Sequence, residues 1–264
     1  MPVITLTTEW RPDDFYYGIM KGKLCTLSPG TTIIVNAGNI PVFNISHASF
    51  VIRNTYNNYP GGSVHIICVH SEGSASKDYL IVRARDHYFI GTDNGIFNLI
   101  LNSPPDEVVK ISQNGIDDEL DLFARAAADL ISGKKPGDLG EIIKDFTDKV
   151  PLRATIDKDV ITGSIIFIDS YGNAISNITR EVFYRVFEDR PYLILIQSNK
   201  NFTDHISTRY CDEPVGELLA RFNSIDLLEI SINGADASEL LSLTIGSVVR
   251  IDVATKKSAT GKLF

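Results

Sequence analysis

Three polar stretches hold most of the side chains whose types and spacing suit chemistry. The first, "TEWRPDD" at 8–14, offers the carboxylates Glu9, Asp13 and Asp14. A carboxylate there can accept hydrogen bonds from both hydroxyls of a ribose; the same residues also suit a solvated turn with Asp13 or Asp14 capping the next helix. The second, "IDSYGNAISNI" at 168–178, sets Asp169, Ser170, Asn173, Ser176 and Asn177 around Tyr171 and Gly172. Carboxylate, hydroxyl and amide groups together suit the ammonium and carboxylate of an amino acid, or a polar hairpin whose side chains bond their own backbone. The third runs from His70 to Lys77 through Ser71, Glu72, Gly73, Ser74, Ala75 and Ser76. A histidine at a strand end is either structural or a base that works near neutral pH, and its local sequence leaves both open.

The sequence carries few other signatures. There is no Gly-x-Gly-x-x-Gly, no Walker loop and no His-Glu-x-x-His, so neither a standard dinucleotide or triphosphate site nor a zinc protease site is expected. His47, His65, His87 and His205 fall at no metal-ligand spacing, and no Gly-x-Ser-x-Gly elbow occurs. Cys25, Cys68 and Cys211 are scattered and odd in number, which reads as reduced cysteine rather than a disulfide framework. No metal and no cofactor are expected. A net charge of −8 and a pI near 5.1 argue against nucleic acid, which needs clustered Lys and Arg, and against an anionic membrane surface. Small-molecule ligands are favoured. "MPVITLTTEW" has neither the basic nor the apolar region of a leader, and no apolar run reaches ~18 residues, so a cytoplasmic location is expected. The Asn-x-Ser/Thr matches at Asn44, Asn177 and Asn201 would matter only in a secreted chain.

The elements that must position these loops follow from patterning. With 264 residues and 44% hydrophobic content, the chain can form one large domain or two. "VITLT", "TTIIV" and "SVHIICVH" read as buried strands; between them "FYYGIMKGKLCTL" and "NISHASFVIRNTY" read as helices stopped by Pro29-Gly30 and Pro60-Gly61-Gly62. Strands alternating with helices imply parallel pairing with crossovers. "YLIVRA" and "HYFIG" then extend the sheet and make it mixed, with Asp93-Asn94-Gly95 supplying the turn into "IFNLIL". "DDELDLFARAAADLISG" is a helix with acidic residues at its start, Leu120, Phe123, Ala127 and Leu130 at helical spacing, and Gly133 past its end. From about residue 155 short strands dominate: "ITGSIIFID", "PYLILIQS", "LLEISIN" and "SVVRIDVA". The expected architecture is an α/β N-terminal domain, 1–150, with a mixed, mostly parallel sheet, and a smaller β-barrel-like C-terminal domain, 151–264.

Taken in order, "LTTEWRPDDFYYGIMKGKL", "IIVNAGNIPVFNI", "DHYFIGTDNGIFNLIL", "FARAAADLISG", "IDSYGNAISNI" and "LLEISINGADASELLSLTIGSVVRI" resemble the S-adenosyl-L-methionine hydroxide adenosyltransferases, relatives of the fluorinases and chlorinases. "HYFIGTDNG" and "YGNAISNI" carry the most specific part. The resemblance implies two domains, a homotrimer with sites between neighbouring subunits, and attack by water at C5′ of S-adenosyl-L-methionine to give adenosine and L-methionine. It places the family's ribose-binding Asp at Glu9, its methionine-gripping Asp and Asn at Asp169 and Asn173, and a family Ser at Ser224. The backbone around Asn233, Gly234 and Ala235 falls where the family bonds adenine.

The water-activating set is where this chain departs. The resemblance puts His70 at the family's Asp, Lys77 at its Arg and Asp118 at its His, and Arg11 and Glu72 replace family glycines. Two readings follow. In one, imidazole and carboxylate have exchanged places, so that Asp118 orients His70 as base and Lys77 replaces the guanidinium, although it lacks a planar two-pronged contact. In the other, the chain binds an S-adenosyl-L-methionine or adenosine ligand without turning it over. Halogenation is disfavoured, because no small dry pocket of donors is marked.

Overall fold

A computed structural model describes residues 1–72, 78–101 and 103–254 of the chain. The chain forms two compact units, Met1–Pro151 and Leu152–Phe264.

The first unit is built on strands β1 (Ile4–Thr8), β2 (Ile33–Ala37), β3 (Val64–Cys68), β4 (Tyr79–Ala84), β5 (His87–Thr92), β6 (Glu107–Ile111) and β7 (Gly140–Ile142), with helices α1 (Phe15–Leu27), α2 (Ile45–Thr55), α3 (Ile96–Ile100) and α4 (Glu119–Ile131). The strand order is β2-β1-β3-β5-β4-β6-β7. The sheet is mixed: β1–β2, β1–β3 and β3–β5 pair parallel, whereas β5–β4, β4–β6 and β6–β7 pair antiparallel. Strands β1 and β3 are buried at every position, as parallel strands covered on both faces must be. One face packs Ile4, Leu6, Ile66 and Cys68 against α1 and α4, where Met20, Leu24, Leu120, Phe123 and Ala127 recur at helical spacing. The other packs Ile67, Val69 and Phe89 against α2 and α3.

The turns before and after β5 are built differently. Arg85 and Asp86, with φ of 50° and 62°, turn β4 into β5, the left-handed pair that a two-residue hairpin needs. Asp93-Asn94-Gly95, the expected turn into "IFNLIL", opens α3, with Gly95 at φ 91° before it and the Asn94 side-chain oxygen accepting from Ile96 N–H. An amide that bonds its own backbone two residues on favours a helix start over a strand pair.

A chain of buried polar groups crosses this sheet. Thr5 Oγ1 lies 2.8 Å from His65 Nδ1, and His65 Nε2 lies 3.1 Å from His87 Nδ1. Burial, and secondarily the neighbouring His87, push the His65 imidazole down to about 3, because a charged ring there would lose its hydration.

The second unit is antiparallel. Strands β8 (Thr155–Asp157), β9 (Val160–Ile168), β10 (Ala174–Thr179), β11 (Tyr192–Ile196), β12 (Ser198–Thr203), β13 (Leu218–Phe222), β14 (Leu227–Ile232) and β15 (Val248–Val253) are joined by helices α5 (Arg180–Phe187) and α6 (Ala237–Leu240). The order is β12-β11-β15-β9-β10-β14-β13, with β8 on β9. Edge strands β12 and β13 approach each other, so the sheet curls into a nearly closed barrel. Ile161, Ile165, Ile194, Ile230 and Ile251, supplied by alternate strand positions, fill it together with Phe183 from α5.

Candidate functional site

In the first unit β1 crosses to β2 on one side, and the chain then returns to place β3 on the other. Ligands of open α/β sheets bind at the carboxyl ends of strands where the order reverses in this way. Glu9 directly follows β1, and His70 stands two residues beyond β3. The Glu9 carboxylate joins three loops: Oε1 accepts from His70 N–H at 3.1 Å and Oε2 from Phe43 N–H at 2.5 Å. Its own N–H donates to Cys68 O. Phe43 and His70 both have left-handed backbones, φ 62° and 49°, as has Asn39 at 58°. Such conformations cost side-chain-bearing residues roughly 1–2 kcal/mol each and persist where surrounding bonds hold them. Here the carboxylate holds two of them.

The floor of this crevice is equally fixed. Asn39 N–H donates to Trp10 O and Ile40 N–H to Thr8 O. The Tyr17 hydroxyl, 2.8 Å from Thr8 Oγ1, occupies the space a Cβ on Gly38 would need. Behind His70, Asn94 Nδ2 donates to Val69 O and His70 O, and Thr92 Oγ1 donates to Ser71 O at 2.6 Å. The His70 ring lies edge-on to exposed Phe43, and Trp10 stacks on Tyr16. Aromatic faces beside a carboxylate suit a nucleoside, whose base stacks while its ribose donates. Asp14 precedes α1, but its carboxylate accepts from Arg11 N–H rather than from that helix.

The residues expected to activate water are divided. Asp118 caps α4, accepting from Leu120 N–H at 3.0 Å, and pairs with Lys23 Nζ at 3.2 Å. Those bonds direct it toward α1. Its neighbour Glu119, which the spacing did not single out, reaches the loop after β3: Ser71 Oγ donates to Glu119 Oε1 at 2.7 Å. The buried Cys68 thiol is pushed up first by burial, then by Glu119 and Glu9, so both carboxylates act on the end of β3. Lys77 lies outside the described residues. Among the described residues no cluster of three or more His, Cys, Asp or Glu side chains is placed to hold a metal ion.

In the second unit Asp169 closes its own loop. Its Oδ1 accepts from Tyr171 N–H and Asn173 N–H at 2.9 Å each, and its Oδ2 accepts from Asn173 Nδ2 at 2.9 Å. Gly172, φ 78°, sits where any Cβ would strike the Asp236 carboxylate, which caps α6, and its carbonyl accepts from Ser238 N–H. Asp169 and Asn173 therefore build one turn, and the Asp236 carboxylate packs against it. Asp236 was not anticipated; its cap position before "ASEL" was the available signal. Ser224 is exposed in the turn between β13 and β14. Asn233 is tied to the preceding segment, Nδ2 donating to Glu213 O at 2.7 Å and its carbonyl accepting from Gly216 N–H. Gly234 is exposed with φ 76°.

Residues 4–140 match the family model of the SAM hydroxide adenosyltransferase N-terminal domain, and residues 163–250 that of the C-terminal domain. The (R)-S-adenosyl-L-methionine hydrolase of Methanocaldococcus jannaschii is 26% identical over 261 residues, covering 92% of this chain and 93% of that protein. The (R)-S-adenosyl-L-methionine hydrolase of Thermus thermophilus is 25% identical over 268 residues, covering 95% and 100%. A crystal structure of a Thermotoga maritima protein superposes with a TM-score of 0.86 at 22% identity, covering 95% of this chain and all of that one. One from Thermus thermophilus does so with a TM-score of 0.77 at 24% identity and the same coverage.

Proposed function

The chain belongs to the SAM hydroxide adenosyltransferase family, and on that footing we propose that it hydrolyses S-adenosyl-L-methionine to adenosine and L-methionine. The observation that carries this reading is the Glu9 carboxylate at the reversal of strand order, bonded to two strained loops with His70 beside it. The sulfonium is a good leaving group, so the protein has mainly to orient the ligand, exclude bulk water and activate one water molecule. The water oxygen bonds to C5′ as the C5′–S bond breaks, the bonding pair stays on the methionine sulfur, and one proton leaves the water. The reaction as written needs no cofactor.

Glu9 receives the ribose hydroxyls through the lone pairs its two amide bonds leave over. Asp169 and Asn173 grip the amino-acid end, Ser224 contributes its hydroxyl, and the backbone at Asn233 and Gly234 bonds adenine. His70 is the base, with Lys77 and Asp118 completing the charge inventory. The two groups of binding residues lie in different units; in line with the family resemblance, neighbouring subunits of a homotrimer complete each site, and the protein works in the cytoplasm.

Incubation with S-adenosyl-L-methionine should release adenosine and methionine in equal amounts, read by chromatography. His70→Ala should remove at least ~10²-fold of kcat, the contribution of a general base, while calorimetry still detects the ligand. A second reading, ligand binding without turnover, is favoured by the engagement of Asp118 with Lys23 and Leu120. Tight binding with no adenosine after prolonged incubation would select it; no binding of any adenosyl compound would exclude both.

A further inference from the structure

Two adjacent carboxylates at the start of α4 face different partners. Asp118 turns to Lys23, its side chain 52% exposed. Glu119 is half-buried and turns to the loop after β3, accepting from Ser71 Oγ at 2.7 Å and, more weakly, from the Tyr79 hydroxyl at 3.4 Å. An anchoring role for this bond would be redundant. Asn94 already holds the carbonyls of Val69 and His70, and Thr92 holds that of Ser71, so three successive backbone oxygens are fixed from the end of β5. What the Glu119 bond adds is the direction of one hydroxyl hydrogen. With that hydrogen committed to a carboxylate, the Ser71 oxygen is left as an acceptor.

We propose that Glu119 is a positioning residue for hydrolysis, holding Ser71 as the hydrogen-bond acceptor that orients the attacking water. This deepens the hydrolytic reading and rests on it. Ser71 directly follows His70, the base in that reading. A water that points one hydrogen at His70 and the other at Ser71 Oγ has its lone pair left for C5′. As O–C5′ forms and C5′–S breaks, the first hydrogen passes to the imidazole as a proton. The second stays on the oxygen and becomes the hydrogen of the 5′-hydroxyl. Ser71 and Glu119 end with the protons they began with, so their contribution is alignment; a misplacement on the scale of 1 Å costs about 10²-fold in rate.

The test is steady-state kinetics of adenosine release by the full chain and by Glu119→Ala, Ser71→Ala, the double variant and Ser71→Thr. Each alanine variant should lower kcat about 10²-fold while leaving KM for S-adenosyl-L-methionine within about twofold, the pattern of an interaction that matters in the transition state. The double variant should be no worse than the poorer single one, because the two residues act as a unit. Ser71→Thr, which keeps the hydroxyl, should recover most of the rate. A KM that rises in step with the loss of kcat would make the pair a loop anchor and overturn the proposal, as would unchanged kcat in either alanine variant or losses that multiply. If the wild-type chain releases no adenosine, the hydrolytic reading fails and this role fails with it. Normal wild-type turnover with indifferent variants removes this role alone.

Discussion

The two polar loops read as binding groups are built in opposite ways. Glu9 bonds amides 34 and 61 residues away in sequence, bringing together loops that only the finished sheet makes neighbours. Asp169 bonds amides two and four residues on, within a turn that its own sequence can close. The first loop therefore draws its geometry from the whole unit, and the second carries its geometry with it. A site held by long-range bonds is lost when its unit loosens, whereas a local hairpin should outlast partial unfolding.

Acid offers the largest test of that contrast. In the first unit His65 is held down to about 3 from an ordinary 6.5. Between those values the unfolded chain takes up a proton that the folded chain refuses, so stability falls as pH falls through that window and levels off below it. At ~1.4 kcal/mol per pH unit, the contribution is on the order of 4–5 kcal/mol. In the second unit His205 is raised, first by Glu213 and then by Asp204. Its contribution is fully present below 6.5 and fades as pH rises through the raised value; at 52% exposure it is small. Acid should thus loosen the first unit selectively. Trp10, the one tryptophan of the chain, lies in that unit, so its fluorescence should report denaturant midpoints that drop between pH 6.5 and 4. A His65→Gln chain should lack that part of the slope. Equal acid sensitivity in both chains would mean that His65 is not held neutral.

Glu9→Ala comes next. Removing a carboxylate that accepts from two amides should cost about 3 kcal/mol of stability, at ~1.5–3 kcal/mol per charged hydrogen bond with a discount for partial exposure. It should also release two left-handed loop residues and abolish adenosyl-ligand binding by calorimetry. Glu9→Asp, one methylene shorter, should reach one amide and recover only part. A stable Glu9→Ala chain that still binds would show that the loops are held by something else.

How far the sequence announced this arrangement depends on the range of the interactions. Alternating strand and helix patterns gave the mixed sheet and its crossovers, because periodicity is a local property. Glu9 and His70 stood out as residues following apolar strands, and the sheet order then brings the ends of β1 and β3 together. The partner of the α4 start was not legible: which of Asp118 and Glu119 faces the β3 loop depends on helix rotation and on Lys23, 95 residues or more away. The turn at Asp93-Asn94-Gly95 was legible because its residue types mark a turn locally, whereas the bonds of Asn94 to Val69 O and His70 O, in the loop after β3, were not.

Asp169→Asn probes the local loop with a smaller expected effect. The amide oxygen can still accept from Tyr171 and Asn173 N–H, and only the bond to Asn173 Nδ2 is lost. Stability should change by about 1 kcal/mol. Affinity for S-adenosyl-L-methionine should fall about tenfold or more if the carboxylate meets an ammonium, since tenfold corresponds to ~1.4 kcal/mol. A variant with wild-type affinity would reduce Asp169 to a builder of its own turn.

The smallest effect separates the two carboxylates of α4. Asp118→Asn keeps an N-cap as good as aspartate, so the bond from Leu120 N–H should survive and only the half-exposed pair with Lys23 is lost. Lys23 retains Asp121 at 3.0 Å. Stability should therefore move by less than about 0.5 kcal/mol, the usual range for an exposed pair. If Asp118 stays on Lys23 when ligand binds, turnover should move as little, because the carboxylate that touches the β3 loop is Glu119. A loss of kcat approaching that of His70→Ala would instead mean that Asp118 leaves Lys23 for His70 when ligand binds, and the exchange of imidazole and carboxylate implied by the family resemblance would take precedence over the arrangement of the free chain.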